Sequence, residues 1–159
     1  MNLKINITPR TLHFKQPAGT SRGVYTTRRS WFVEMTSSDL PGIIGTGECG
    51  PLPDLSCDAR PEYEQTLAAL CRMTEQTGAV NYNMLRPYPS MLFGLETAFL
   101  DLKNGGRHVL FDTPFTRGEE GIPINGLVWM GRYDEMLARL EEKMKAGFRC
   151  VKLKIGAID

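Results

Sequence analysis

The stretch Cys150–Asp159, CVKLKIGAID, carries two lysines two positions apart in an otherwise apolar run. Successive side chains of a strand point to opposite faces, so Lys152 and Lys154 share one face while Val151, Leu153 and Ile155 share the other. On an edge strand such a pair is an ordinary solvated face. Inside a fold it is costly, and a cost of that kind usually has a chemical use. The residues just before it decide which setting applies. RYDEMLARLEEKMKAG reads as an amphipathic helix, with Met136, Leu140 and Met144 on one stripe and Gly147 at its C-terminal stop. Before the helix, IPINGLVWMG reads as a short buried strand. Strand, helix and strand with short joints make a βαβ unit, whose strands run parallel and are joined by a right-handed crossover.

One βαβ unit cannot bury both faces of a parallel sheet. A closed eight-stranded α/β barrel takes about 250 residues, and residues 122–159 hold only its beginning. The expectation is therefore a truncated barrel start, completed by further sequence or by a partner. If the chain ends at Asp159, the exposed barrel strands predict self-association, because open edges and unburied apolar faces are sticky.

Upstream the grammar is different. LKINITPRTLHFKQ alternates loosely, with Leu3, Ile5 and Ile7 on one face, and GVYTTRRSWFVEMTSS is rich in β-branched and aromatic residues. GIIGTGECG follows after the turn signal SSDLPG, so residues 1–50 predict a three-stranded antiparallel meander. QPAGTSRG, between the first two strands, reads as a mobile small-residue loop. Two helices come next. One places Tyr63, Leu67, Leu70 and Met73 at helical spacing and stops at Gly78; the other places Leu92, Leu95, Phe99 and Leu102, with Ser90 as its cap. Residues 1–115 thus predict one α+β domain.

Bulk properties exclude several classes. Nineteen Lys and Arg against eighteen Asp and Glu give a net charge of +1, which makes no electrostatic case for nucleic acid or an anionic membrane. No apolar run approaches the ~20 residues of a membrane helix, and the N-terminus lacks the apolar core of a signal peptide. The four cysteines show no CxxC spacing and predict reduced thiols in a cytoplasmic protein. His13 and His108 are isolated and give no metal spacing. GTGECG is not a phosphate loop, since it lacks the Gly-Lys-Ser/Thr ending. Its Glu48 reads as a loop anchor accepting backbone hydrogen bonds.

Taken together, GTGECGPLPDLS, PSMLFGLETAFLDL, INGLVWMG and VKLKIGAID resemble the enolase superfamily, in its muconate-cycloisomerase-like branch. The resemblance covers essentially the whole chain, as the N-terminal part of a longer protein. It implies an α+β capping domain followed by the first βαβ of an incomplete (β/α) barrel. The most similar members of the branch imply a lyase of menaquinone biosynthesis acting on a cyclohexadiene carboxylate with a succinyl chain and a ring hydroxyl. A base removes the proton α to the ring carboxylate, Mg2+ holds the resulting enediolate, and hydroxide leaves. The resemblance assigns the base to Lys154, with Lys152 as its neighbour. A second ammonium nearby and a partly dry interior both favour the neutral amine that a base requires. The magnesium ligands and the opposing lysine are expected on later barrel strands, so no residue of this chain is assigned to the metal. By itself the chain is expected to be inactive.

In this branch the cap supplies specificity. The matching loops are GTSRG (Gly19–Gly23) and CGPLP (Cys49–Pro53). Thr20, Ser21 and Arg22 are the candidate substrate contacts on the first, with Arg22 able to meet a carboxylate through its guanidinium fork. Leu52 on the second could wall an apolar ring. A racemase, epimerase or cycloisomerase of the same branch would share the base and the enediolate, and a cap-type interaction module without catalysis is the reading from another class.

Overall fold

The structure, a computed structural model, describes residues 1–20 and 23–155. The chain forms two compact units: Met1–His13 with Thr27–Asp112, and Phe14–Thr26 with Thr113–Asp159. The elements are β1 (Leu3–Thr20), β2 (Gly23–Ser37), β3 (Leu40–Cys49), α1 (Tyr63–Thr77), α2 (Tyr82–Leu85), α3 (Pro89–Lys103), β4 (Gly126–Val128), α4 (Tyr133–Lys145) and β5 (Val151–Leu153). The expected α+β cap elements and the expected βαβ are thus both present, with β1-β2-β3 in one sheet and β4-β5 in another.

The first sheet departs from expectation at its far end. QPAGTSRG was expected as a loop, yet β1 runs to Thr20 and β2 resumes at Gly23. Small residues do not forbid extended backbone, and neighbouring strands satisfy its N–H and C=O groups.

In the first unit, the β2–β3 register sets Trp31 opposite Cys49, Val33 opposite Gly47 and Met35 opposite Gly45. Opposed residues of an antiparallel pair share a face. That face therefore has bulky, fully buried side chains on β2 and almost no side chains on β3. The trough so formed admits α3. A Cβ on Gly45 would overlap the Ala98 carbonyl, one on Gly47 the Gly94 carbonyl, and one on Gly94 the Cys49 sulfur. Gly45 and Gly47 of GTGECG serve backbone-to-backbone packing, whereas a Cβ on Gly50 would meet the Arg28 guanidinium. Met91, Leu95, Ala98 and Leu102 of α3 join Val33, Met35, Leu67 and Leu85 in the core.

Helix α1 buries Tyr63, Leu67, Leu70, Cys71 and Thr74. Met73, expected on the same stripe, is 39% exposed. At about 100° per residue it lies roughly a quarter-turn off the line through Leu67, Leu70 and Thr74. Thr74 tolerates burial because its hydroxyl donates to the Leu70 carbonyl at 2.9 Å. Gly78, at φ 66°, ends the helix, and its N–H returns to the Thr74 carbonyl at 2.9 Å.

The start of α3 also differs from expectation. Ser90 lies inside the helix, after Pro89, and Tyr88 holds the cap position without a side-chain bond. Asp58 does the capping from a distant loop. Its Oδ2 accepts from the Ser90 N–H at 2.8 Å and from the Ser90 hydroxyl at 2.6 Å. A carboxylate at a helix N-terminus answers orphan N–H groups and the positive end of the dipole together. Tyr63 Oη lies 2.7 Å from Ser90 Oγ, which closes the cluster.

In the second unit, β4 and β5 pair in parallel, with Gly126 opposite Val151, Leu127 opposite Lys152 and Val128 opposite Leu153. Val128 and Met136 are buried, so α4 covers one face of this pair. Met144, expected on the α4 stripe, is 63% exposed. At about 100° per residue it lies roughly 80° around the helix from Met136, the buried residue of α4.

Candidate active site

The candidate site is built on the ladder between β4 and β5. The Gly126 N–H donates to the Cys150 carbonyl at 2.8 Å, and the Lys154 N–H donates to the Val128 carbonyl at 3.0 Å. Strand pairing therefore extends one step beyond Leu153. Alternation then sorts the side chains. Val128, Leu153 and Ile155 fall on the α4 side, where Leu153 and Ile155 share an apolar groove with Tyr133, Met136, Leu137 and Leu140. Leu127, Lys152 and Lys154 fall on the opposite face, the inner one in a barrel.

Lys152 is exposed and Lys154 half-buried. The Lys154 ammonium stands 5.7 Å from the centroid of the Trp129 ring, within the range of a cation–π contact. The Trp129 indole N–H in turn donates to the Gly19 carbonyl at 2.9 Å. Next to Gly19, the Thr20 hydroxyl donates to the Gly23 carbonyl at 3.0 Å. Lys154, Trp129, Gly19 and Thr20 are thus linked within the second unit. Ser21 and Arg22, the other candidates of the GTSRG stretch, lie outside the described residues, as does Asp159.

Leu52 belongs to the first unit and is 42% exposed. The turn presenting it is closed by its own N–H donating to Ser56 Oγ at 2.9 Å and by the Ser56 N–H donating to the Leu52 carbonyl at 2.9 Å. Glu48 acts as an anchor, though through side chains rather than the expected backbone bonds. It accepts from the Ser30 hydroxyl at 2.7 Å and stands 3.6 Å from Arg28, whose Nη2 donates to the Gly50 carbonyl at 2.9 Å. Two buried carboxylates proved structural. Asp58 caps α3, and Asp101 accepts from the Thr46 N–H at 3.0 Å and the His108 N–H at 2.7 Å.

The four cysteines are free thiols, with Cys49 and Cys71 buried. Burial raises both above the usual thiol range; for Cys71 the value reaches about 12. Neither is a nucleophile in that condition. Among the described residues, no group of three or more His, Cys, Asp or Glu side chains could hold a metal ion. The described residues therefore do not make up a ligand set for magnesium. Among the same residues, no helix is long and apolar enough to cross a membrane.

Comparison with known proteins agrees with this fold. The o-succinylbenzoate synthase of Desulfotalea psychrophila is 37% identical over 179 residues, covering 93% of this chain and 48% of that protein. The crystal structure of MenC from Desulfotalea psychrophila LSv54 superposes with a TM-score of 0.74 at 29% identity, covering 98% of this chain and 49% of that one. The chain carries the N-terminal portion of the enolase-superfamily fold and resembles o-succinylbenzoate synthase. It spans about half the length of these relatives. A third structure, the Thermosynechococcus elongatus BP-1 o-succinylbenzoate synthase complexed with Mg in its active site, shares the fold at a TM-score of 0.60 and 22% identity, covering 100% of this chain and 44% of that one. No family model matches the chain.

Within this superfamily fold, sequence reasoning overlooked Trp129. The strand register, which only the structure supplies, decides it: with Val128 opposite Leu153, Trp129 falls beside Lys154. Trp129 is the aromatic partner of the candidate base.

Proposed function

We propose that the complete protein bearing this chain is a lyase that converts a succinyl-hydroxycyclohexadiene carboxylate to o-succinylbenzoate, in menaquinone biosynthesis in the cytoplasm. Residues 1–115 form its capping domain and residues 122–159 open its barrel. Lys154 removes the proton α to the ring carboxylate. The electron pair passes into the carboxylate as an enediolate, then returns to expel the ring hydroxyl and complete the aromatic ring. Lys152 stands beside the base as a second cation. Thr20, Ser21, Arg22 and Leu52 contact the substrate. Magnesium is the cofactor of the complete enzyme, on ligands from later barrel strands outside this chain.

One observation carries the proposal. In a chain 37% identical to an o-succinylbenzoate synthase, Lys154 continues the β5 ladder at its C-terminal end and points to the face away from α4. Barrel enzymes place their chemistry at that end of their strands. Positioned acid–base groups contribute about 10²- to 10⁴-fold to rate.

The test is a magnesium-dependent dehydration assay on the protein expressed from its complete gene, paired with its intact mass. A mass near twice the 17.8 kDa of this chain, with turnover lowered about 10²- to 10⁴-fold by Lys154→Ala, is the expected result. Turnover of an acylated amino acid or dipeptide, without dehydration, would transfer the same base to a racemase or epimerase. No metal-dependent activity at all would leave an interaction module.

A further inference from the structure

The linked set of Lys154, Trp129 and Gly19 carries a role for a residue that the reaction itself does not use. We infer that Trp129 is a positioning residue, its N–H fastening the end of β1 at Gly19 while its ring face seats the Lys154 amine and favours the ammonium that forms as the base takes its proton. The inference rests on the lyase reading for its kinetic part and on geometry alone for its structural part.

An indole has one donor and no acceptor. In Trp129 that donor is committed to a backbone carbonyl 110 positions away, at 2.9 Å. The ring is committed to Lys154 at 5.7 Å. A tryptophan that merely filled space would be buried on all sides, and Trp129 is 37% exposed. Its two contacts join the candidate base to the strand end that bears Thr20. They also use two separable properties of the side chain, which makes them testable one at a time. Phenylalanine keeps a ring face and loses the donor. Leucine loses both.

The experiment compares wild type, Trp129→Phe and Trp129→Leu in the complete protein by hydrogen–deuterium exchange and steady-state kinetics. A neutral hydrogen bond is worth about 0.5–1.5 kcal/mol, which is roughly a 2- to 12-fold change in a local opening equilibrium. Trp129→Phe should therefore speed exchange in peptides covering Phe14–Thr20 by about that factor, leaving α3 peptides unchanged. KM for dehydration should rise in step, with kcat held within about twofold. Trp129→Leu should show the same exchange and a further fall in kcat of about 2- to 30-fold, the range of a cation–π contact. A uniform rise in exchange across both units would signal general destabilisation and overturn the inference. So would Trp129→Phe with wild-type exchange over Phe14–Thr20 and wild-type KM. Should the wild type fail to dehydrate the substrate, the lyase reading falls, and the exchange comparison by itself still decides whether Trp129 fastens β1.

Discussion

The closest test of the fold lies where β3 meets α3, at Gly47→Ala. The added Cβ would overlap the Gly94 carbonyl oxygen, and it would stand 2.9 Å from the Gly94 carbonyl carbon and 3.0 Å from the Ala98 nitrogen. All three are backbone atoms of α3, so no side-chain rotation relieves the overlap. Carbon contacts relax near 3.5 Å, so the helix must withdraw by roughly 0.5–1 Å, a gap that forfeits a quarter to a half of each facing contact. Met91, Leu95 and Leu102 all face that gap and are essentially fully buried. Full burial of such side chains is worth about 1.5–3 kcal/mol each. Losing a quarter of three of them costs about 2 kcal/mol, and the residual overlap adds another 1–3. Replacing glycine in a strand returns about 0.5–1 kcal/mol.

The net expectation is a loss of about 3 kcal/mol, equivalent to a fall in Tm of about 6–12 °C for a chain of this size. Urea denaturation followed by Trp31 fluorescence reads it directly, because Trp31 is 6% exposed and stacks at 4.4 Å on Tyr63 in the same core. Gly121→Ala is the control: nothing stands within 4 Å of its Cβ, so stability should change by less than about 0.5 kcal/mol. A Gly47→Ala protein within about 1 kcal/mol of wild type, at unchanged m-value, would refute the claim that backbone-to-backbone contact sets the β3–α3 spacing.

Three further outcomes are expected. Cys71 is raised from 9.0 to about 12 by burial, so the unfolded chain releases its proton first as pH climbs. Stability is unaffected below pH 9 and then falls by about 1 kcal/mol per pH unit for this thiol; Cys71→Ala should remove its share of that slope in denaturation curves at pH 8 to 10.5. Asp101→Ala strands the Thr46 and His108 N–H groups and should cost about 2–5 kcal/mol, with Asp101→Asn losing less; thermal melts separate the two. In the complete protein, Lys154→Ala should lower kcat by about 10²- to 10⁴-fold with Tm unchanged, and a drop in Tm matching the loss of activity would make the lysine structural.

How much of this was readable in advance depended on which physical term decided each feature. The βαβ unit was plain, because strand and helix periods differ sharply and short joints leave few ways to connect them. The α1 stripe was right at Tyr63, Leu67 and Leu70 and wrong at Met73, since hydrophobic identity outweighed angle in the reading whereas angle decides in the fold. The use of GTGECG needed α3 in view: a glycine run shows that something comes close without showing what. The α3 cap was misassigned to Ser90 because its partner, Asp58, lies 32 positions away and local capping rules see only neighbours.

The candidate site repeats that division between local and distant information. Alternation alone put Lys152 and Lys154 on one face, and the parallel register with β4 upholds it. Alternation could not say whether that face meets water or substrate, because the answer depends on elements that a single βαβ unit does not contain. Trp129 supplies part of the missing context from inside the chain. By holding Gly19 through its N–H and Lys154 through its ring, it converts a charge pattern shared by many solvated strands into a lysine with a fixed aromatic neighbour. A lysine on a freely solvated face gains little from such a neighbour, since exposed cation–π contacts are worth only about 0.5–1 kcal/mol. The arrangement yields most where water is excluded, which is the condition a closed barrel would impose on this face.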